Sequence, residues 1–168
     1  MKSIIDDDDI KTFFIDNFEK YNIEFEDEKP LQEMVYYSWG MPLAMQQIGE
    51  ETFWNVKSNL INEEMVLKGI LNAAIEIGKK QISLILDRIE NDEYDKILLK
   101  LGKNKLIKFE KSEIANILSE SENNLLDDFL TQMKELNILE HVGRKMNEEY
   151  TFTNRLYFVY FLIMANIS

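Results

Sequence analysis

Apolar residues recur at helical spacing through most of this chain. Ile10, Phe13, Phe14 and Phe18 share one face of a predicted first helix, capped by Asp9 and running to about Tyr21. Asn22 to Lys29 is polar and acidic and reads as a loop. Pro30 suits the first turn of a second helix, with Leu31, Met34, Val35 and Trp39 on one face and Gly40 at its end. Pro42 starts a third helix through Leu43, Met45, Ile48, Phe53 and Trp54. Asn62 caps a fourth, which carries Met65, Val66, Ile70, Ala73 and Ile77 and closes at Gly78. Four short helices in succession predict a small bundle.

The second half has a different rhythm. The spacing of Leu84, Ile85, Ile89, Tyr94, Ile97, Leu98 and Leu101 predicts one helix from about Ser83, stopped by Gly102. Leu106 to Phe109 is a short strand-like run, and Ser112 to Leu118 a compact helix. Asn123 or Asn124 caps the next helix, with Leu125, Leu126, Phe129, Leu130, Met133 and Leu136 as its apolar set. Ile138 to Val142 and Glu149 to Thr153 alternate as strands around a polar turn, Gly143 to Glu148. Arg155 to Met164 forms a last helix, apolar on more than one side. Such a helix is normally buried. It predicts packing between modules, against a further domain, or against a second copy. The fold class is therefore mainly α: a small helical bundle over residues 1–80, then a helix–strand–helix–helix–hairpin module over residues 81–168.

Charge narrows the function. The chain of 168 residues carries a net charge of −12, with −8 in residues 1–80 and −4 in residues 81–168. Nucleic-acid binding depends on Lys and Arg neutralising phosphates, so this balance disfavours DNA or RNA as a partner. Lys103, Lys105, Lys108 and Lys111, together with Lys100, form the basic cluster where nucleic acid would touch. The predicted recognition helix instead carries Asp127, Asp128 and Glu135 against Lys134, and Arg144 and Lys145 of the turn are offset by neighbouring glutamates. The absence of cysteine excludes disulfides and thiolate metal sites. No apolar run is long enough to span a membrane, and Asp6 to Asp9 stand where a signal peptide has an apolar stretch, so a cytoplasmic location is expected.

Catalytic chemistry finds little footing. His141 is the sole histidine, which leaves a zinc site too few ligands, and no serine has it as a partner at a recognisable triad spacing. The Asp6–Asp9 run lacks the alternating ligands and glycine of a calcium loop and reads as helix capping. No metal site and no catalytic residue is predicted. The one stretch suited to a small ligand is Ser38-Trp39-Gly40-Met41-Pro42-Leu43-Ala44. Glycine permits a turn that other residues resist, and proline presets the next helix. The prediction is a rigid elbow whose backbone approaches a ligand closely.

Gly40-Met41-Pro42 with Leu43 to Gly49, and the ending Tyr150-Thr151-Phe152-Thr153-Asn154-Arg155-Leu156-Tyr157, resemble the C-terminal part of AAA+ and STAND-type ATPases. The resemblance is greatest to the archaeal group related to the origin-recognition proteins. In that family a P-loop core is followed by a helical lid and then a winged-helix domain. The resemblance implies that Gly40, Met41 and Pro42 are the lid motif that lies against bound nucleotide, and that the last wing strand runs into the terminal helix. It implies ATP as the cofactor of a larger parent protein, and the missing ATPase core as a partner. A protein partner or self-association is expected beside it.

Two departures mark this chain. No Gly-x-x-x-x-Gly-Lys-[Ser/Thr] occurs, so the core is absent, and Ile82 to Asp87, which imitates a strand ending in a magnesium-binding aspartate, reads as helix. The arginine that many such lids aim at the γ-phosphate is also missing, since Leu43 and Ala44 follow Pro42. The expectation is a non-catalytic fragment with lid and winged helix, which binds no ATP strongly by itself. The alternative is an acidic winged-helix regulator that binds DNA or protein without ATPase function.

Overall fold

A computed structural model describes residues 5–143 and 148–167. The protein is mainly helical, and it divides into two compact units, Lys2–Glu76 and Ile77–Ser168.

The first unit opens with α1, Asp7–Glu19. Asp6, not Asp9, is its cap: the Asp6 carboxylate accepts from the Asp8 N–H at 3.0 Å. Asp7, Asp8 and Asp9 occupy the first turn, where the helix dipole favours negative charge. Ile10, Phe14 and Phe18 are buried from this helix. The expected loop over residues 22–29 holds β1, Glu24–Phe25, which pairs in parallel with β2, Leu60–Ile61. Two-residue strands are too short to leave an alternating pattern. Between them lie α2, Glu28–Ser38, and α3, Pro42–Asn55. α2 begins two residues before Pro30, because Asp27 caps it through the Lys29 N–H at 2.8 Å.

Asn62 accepts from the Met65 N–H at 3.0 Å at the start of α4, Glu63–Ile77. Gly69 lets α4 come close to α3. A Cβ there would stand 2.9 Å from the Thr52 backbone nitrogen.

Gly78 does not close this helix. Gly78–Ile82 is a π-helical turn that leads directly into α5, Ser83–Ile89. The single long helix expected from Ser83 is two. Glu90 sits in the left-handed region at φ 52°, and Asn91 caps α6, Asp92–Lys103, by accepting from the Glu93 N–H at 3.1 Å. Gly102 is likewise no stop. It lies inside α6, where a side chain would collide with the Phe161 backbone.

β3, Lys108–Glu110, precedes α7, Lys111–Ile117, and α8, Glu120–Glu135. Ser119, rather than Asn123 or Asn124, caps α8 in a reciprocal box with Glu122. Asn123 turns back instead and donates to the Ala115 carbonyl at 3.0 Å. The hairpin strands are β4, Leu139–Val142, and β5, Glu149–Phe152, and the order β3-β5-β4 makes β5 the centre of an antiparallel sheet. Arg144 and Lys145 lie outside the described residues.

The last helix, α9, Arg155–Ile167, buries Leu156, Phe158, Val159, Tyr160 and Phe161 within its own unit. Phe152 of β5 meets Phe158 at 5.9 Å and Phe161 at 6.1 Å between ring centres. Much of the aromatic tail is therefore core. Among the described residues, no helix is long and apolar enough to cross a membrane.

Candidate functional site

The elbow between α2 and α3 is built as its residues require. Trp39 and Gly40 take consecutive left-handed conformations, φ 49° and 68°. The Trp39 N–H closes α2 on the Val35 carbonyl at 3.0 Å, and the Met41 N–H reaches the Ser38 carbonyl at 3.0 Å. Ser38 is buried, and its hydroxyl also donates to the Val35 carbonyl, at 3.2 Å. Met41 is extended at the N-cap with no side-chain cap, and Pro42 begins α3. The Met45 N–H then donates to the Met41 carbonyl at 2.9 Å.

Gly40 is buried, Met41 half-buried, and Pro42 exposed. What this turn offers a ligand is thus the backbone edge of Met41 to Leu43 at the positive end of a helix. Met41, Pro42 and Leu43 bring no acid, base or nucleophile to it.

Carboxylates hold three of the five lysines of the basic cluster. Lys108 pairs with Glu149 at 3.4 Å, and Lys111 with Asp127 at 2.6 Å and Glu148 at 3.4 Å. The Asp127 hydrogen bond is the main reason the Lys111 ammonium is held above its ordinary range. Lys100 is paired with Glu122. Lys103 and Lys105 are exposed at the end of α6 and just beyond it. α8 carries acid on its open face, with Asp127 and Asp128 both exposed. His141 is exposed on β4 with its ring edge against Tyr150, 5.3 Å between centres. Among the described residues, no group of His, Cys, Asp or Glu could hold a metal ion.

A cavity of about 180 Å³ lies between α1 and α3. Phe13, Phe14, Phe18, Tyr21 and Phe53 wall it, and Glu50 stands at its rim. Gly49 helps to keep it open by leaving the space beside Phe14 without a side chain. Sequence reasoning missed this site. Phe13 and Phe53 read as ordinary members of two apolar faces, and only their packing shows that a gap remains between them.

No family model, curated protein or solved structure matches the chain.

Proposed function

We propose that this chain is the non-catalytic lid and winged-helix region of an AAA+/STAND-type ATPase, and that it works through protein contacts rather than nucleic acid. One observation carries the reading. The succession α6–β3–α7–α8–β4–β5, with sheet order β3-β5-β4, is the element order of a winged helix, and it comes after a helical unit bearing the Gly40-Met41-Pro42 elbow. In this reading the Ile77–Ser168 unit is the winged helix and the Lys2–Glu76 unit the lid. The elbow would present the backbone of Met41 to Leu43 to nucleotide held by the core of the parent protein. ATP binding and hydrolysis would belong to that core.

The protein-contact arm is favoured by the pairing of Lys108 and Lys111 with carboxylates. A DNA-reading helix presents cations and amides to the groove, whereas α8 presents Asp127 and Asp128.

The test is the coding sequence upstream of Met1 in the source genome. A frame continuing through a Gly-x-x-x-x-Gly-Lys-[Ser/Thr] loop is the expected result. A stop codon immediately upstream would remove ATP from the reading and leave the acidic winged-helix regulator in its place.

A further inference from the structure

The cavity between α1 and α3 has a composition that selects for charge. Its walls include five aromatic rings, and none of its lining residues is cationic. Phe13 and Phe14 stand at 75° to one another with centres 5.3 Å apart, and Tyr21 and Phe53 lie 5.0 Å apart. The rings reach the cavity from α1, from the turn after it and from α3. The negative face of an aromatic ring attracts a cation, most strongly where water is excluded. Phe14 and Phe18 are buried, and Tyr21 is 63% exposed, so the cavity is apolar at its base and open at its mouth. The Glu50 carboxylate stands there, and among the described residues it has no ion pair. An uncharged apolar ligand would use the walls but not Glu50.

We propose that this cavity binds an alkylammonium group, with the methylated or methylene-bearing nitrogen against the rings and its charge toward Glu50. The chemistry is common to a free quaternary amine and to a lysine side chain, methylated or not, of another protein. The site lies wholly in the Lys2–Glu76 unit, so it stands whether or not the ATPase reading does.

The test is a titration of the ¹⁵N-labelled full chain, monitored through amide shifts. The probes are choline, its neutral carbon isostere 3,3-dimethylbutan-1-ol, and short peptides carrying one lysine or one trimethyl-lysine. At least one of the cations should shift amides of α1 and α3 around Gly49, and the neutral isostere should bind about fivefold or more weakly than that cation. Glu50→Gln should weaken that cation by about two- to tenfold and leave the isostere unchanged. Tyr21→Leu removes one ring at an exposed position while keeping an apolar side chain, and should weaken the cation more than the isostere. Whether choline or a peptide binds more tightly names the source. Equal binding of choline and the isostere, shifts confined to other surfaces, or no shift with choline and both peptides would each overturn the proposal.

Discussion

Gly78 lies flat against the ring of Tyr160, with no room between them for a Cβ. The two meet where the π turn passes α9, and the contact is reinforced on either side. Tyr160 Oη and Ser83 Oγ are 3.1 Å apart, and Tyr157 Oη donates to Gln81 Oε1 at 2.5 Å. Gly78→Ala should therefore destabilise the protein by about 1–3 kcal/mol, the usual cost of overpacking a fitted core. Gly49→Ala should do the opposite. A Cβ there meets Phe14 at an ordinary 3.7 Å, so the substitution should gain about 0.5–1 kcal/mol from helix propensity. Urea unfolding of both variants reads the contrast, and equal signs would refute the packing argument.

Glu122 should dominate the acid limb of stability. Burial alone would raise its carboxyl, but Lys100 and the Ser119 N–H and hydroxyl outweigh that and hold it at about 2. The Ser119 N–H donates to it at 2.9 Å. A carboxyl depressed in the folded state stabilises above its unfolded value and loses that contribution as pH falls through the folded one. The contribution should be present above about pH 4.5 and fade toward about pH 2. Glu122→Gln should lower the melting temperature at pH 7 and flatten its decline below pH 4.5. An unchanged acid limb would refute the assignment.

Asp95 carries the reverse sign. Burial, then the charges of Asp92 and Asp87, raise its carboxyl above the ordinary range. Ionised Asp95 therefore opposes folding at neutral pH, and the penalty fades as pH falls through its folded value. Asp95→Asn should raise the melting temperature at pH 7, and the gain should shrink in acid. A loss of stability at pH 7 would contradict the desolvation argument.

The lysine cluster should fail as a DNA site. With Lys108 and Lys111 paired to Glu149, Asp127 and Glu148, a labelled duplex at physiological salt should show no binding tighter than roughly 10⁻⁴ M by fluorescence anisotropy. A micromolar, salt-sensitive complex weakened by Lys103→Ala and Lys105→Ala would reverse that conclusion.

The elbow makes a narrower prediction. Gly40 at φ 68° should cost about 1–2 kcal/mol when replaced by alanine. That loss is measurable in the chain by itself, with no nucleotide present.

Much of the architecture is legible in the order of residues. Apolar spacing places α1 to α4, α8 and the hairpin, because each buries one continuous face. The errors share a cause: a local signal reads as a boundary where packing decides otherwise. Gly78 and Gly102 look like helix stops, yet each is a glycine because another helix presses on it. Glu90 gives no sign of the left-handed break between α5 and α6, since nothing in its type marks that conformation. Asp9 and Asn123 have the chemistry of caps, but Asp6 and Ser119 hold the position. The site is legible in part. The elbow follows from Gly40 and Pro42, whereas the aromatic cavity depends on how α1 meets α3.

The π turn at Gly78–Ile82 also sets the rotational phase of α5. A π turn holds one more residue than an α turn, so deleting one residue there would restore a regular helix at little local cost. Every side chain of α5 would then rotate by about 100° relative to Gly78. Gln81 and Ser83 could no longer both face the tyrosines of α9. The extra residue acts as a spacer that aims α5, and a chain lacking it would have to rebuild that whole contact.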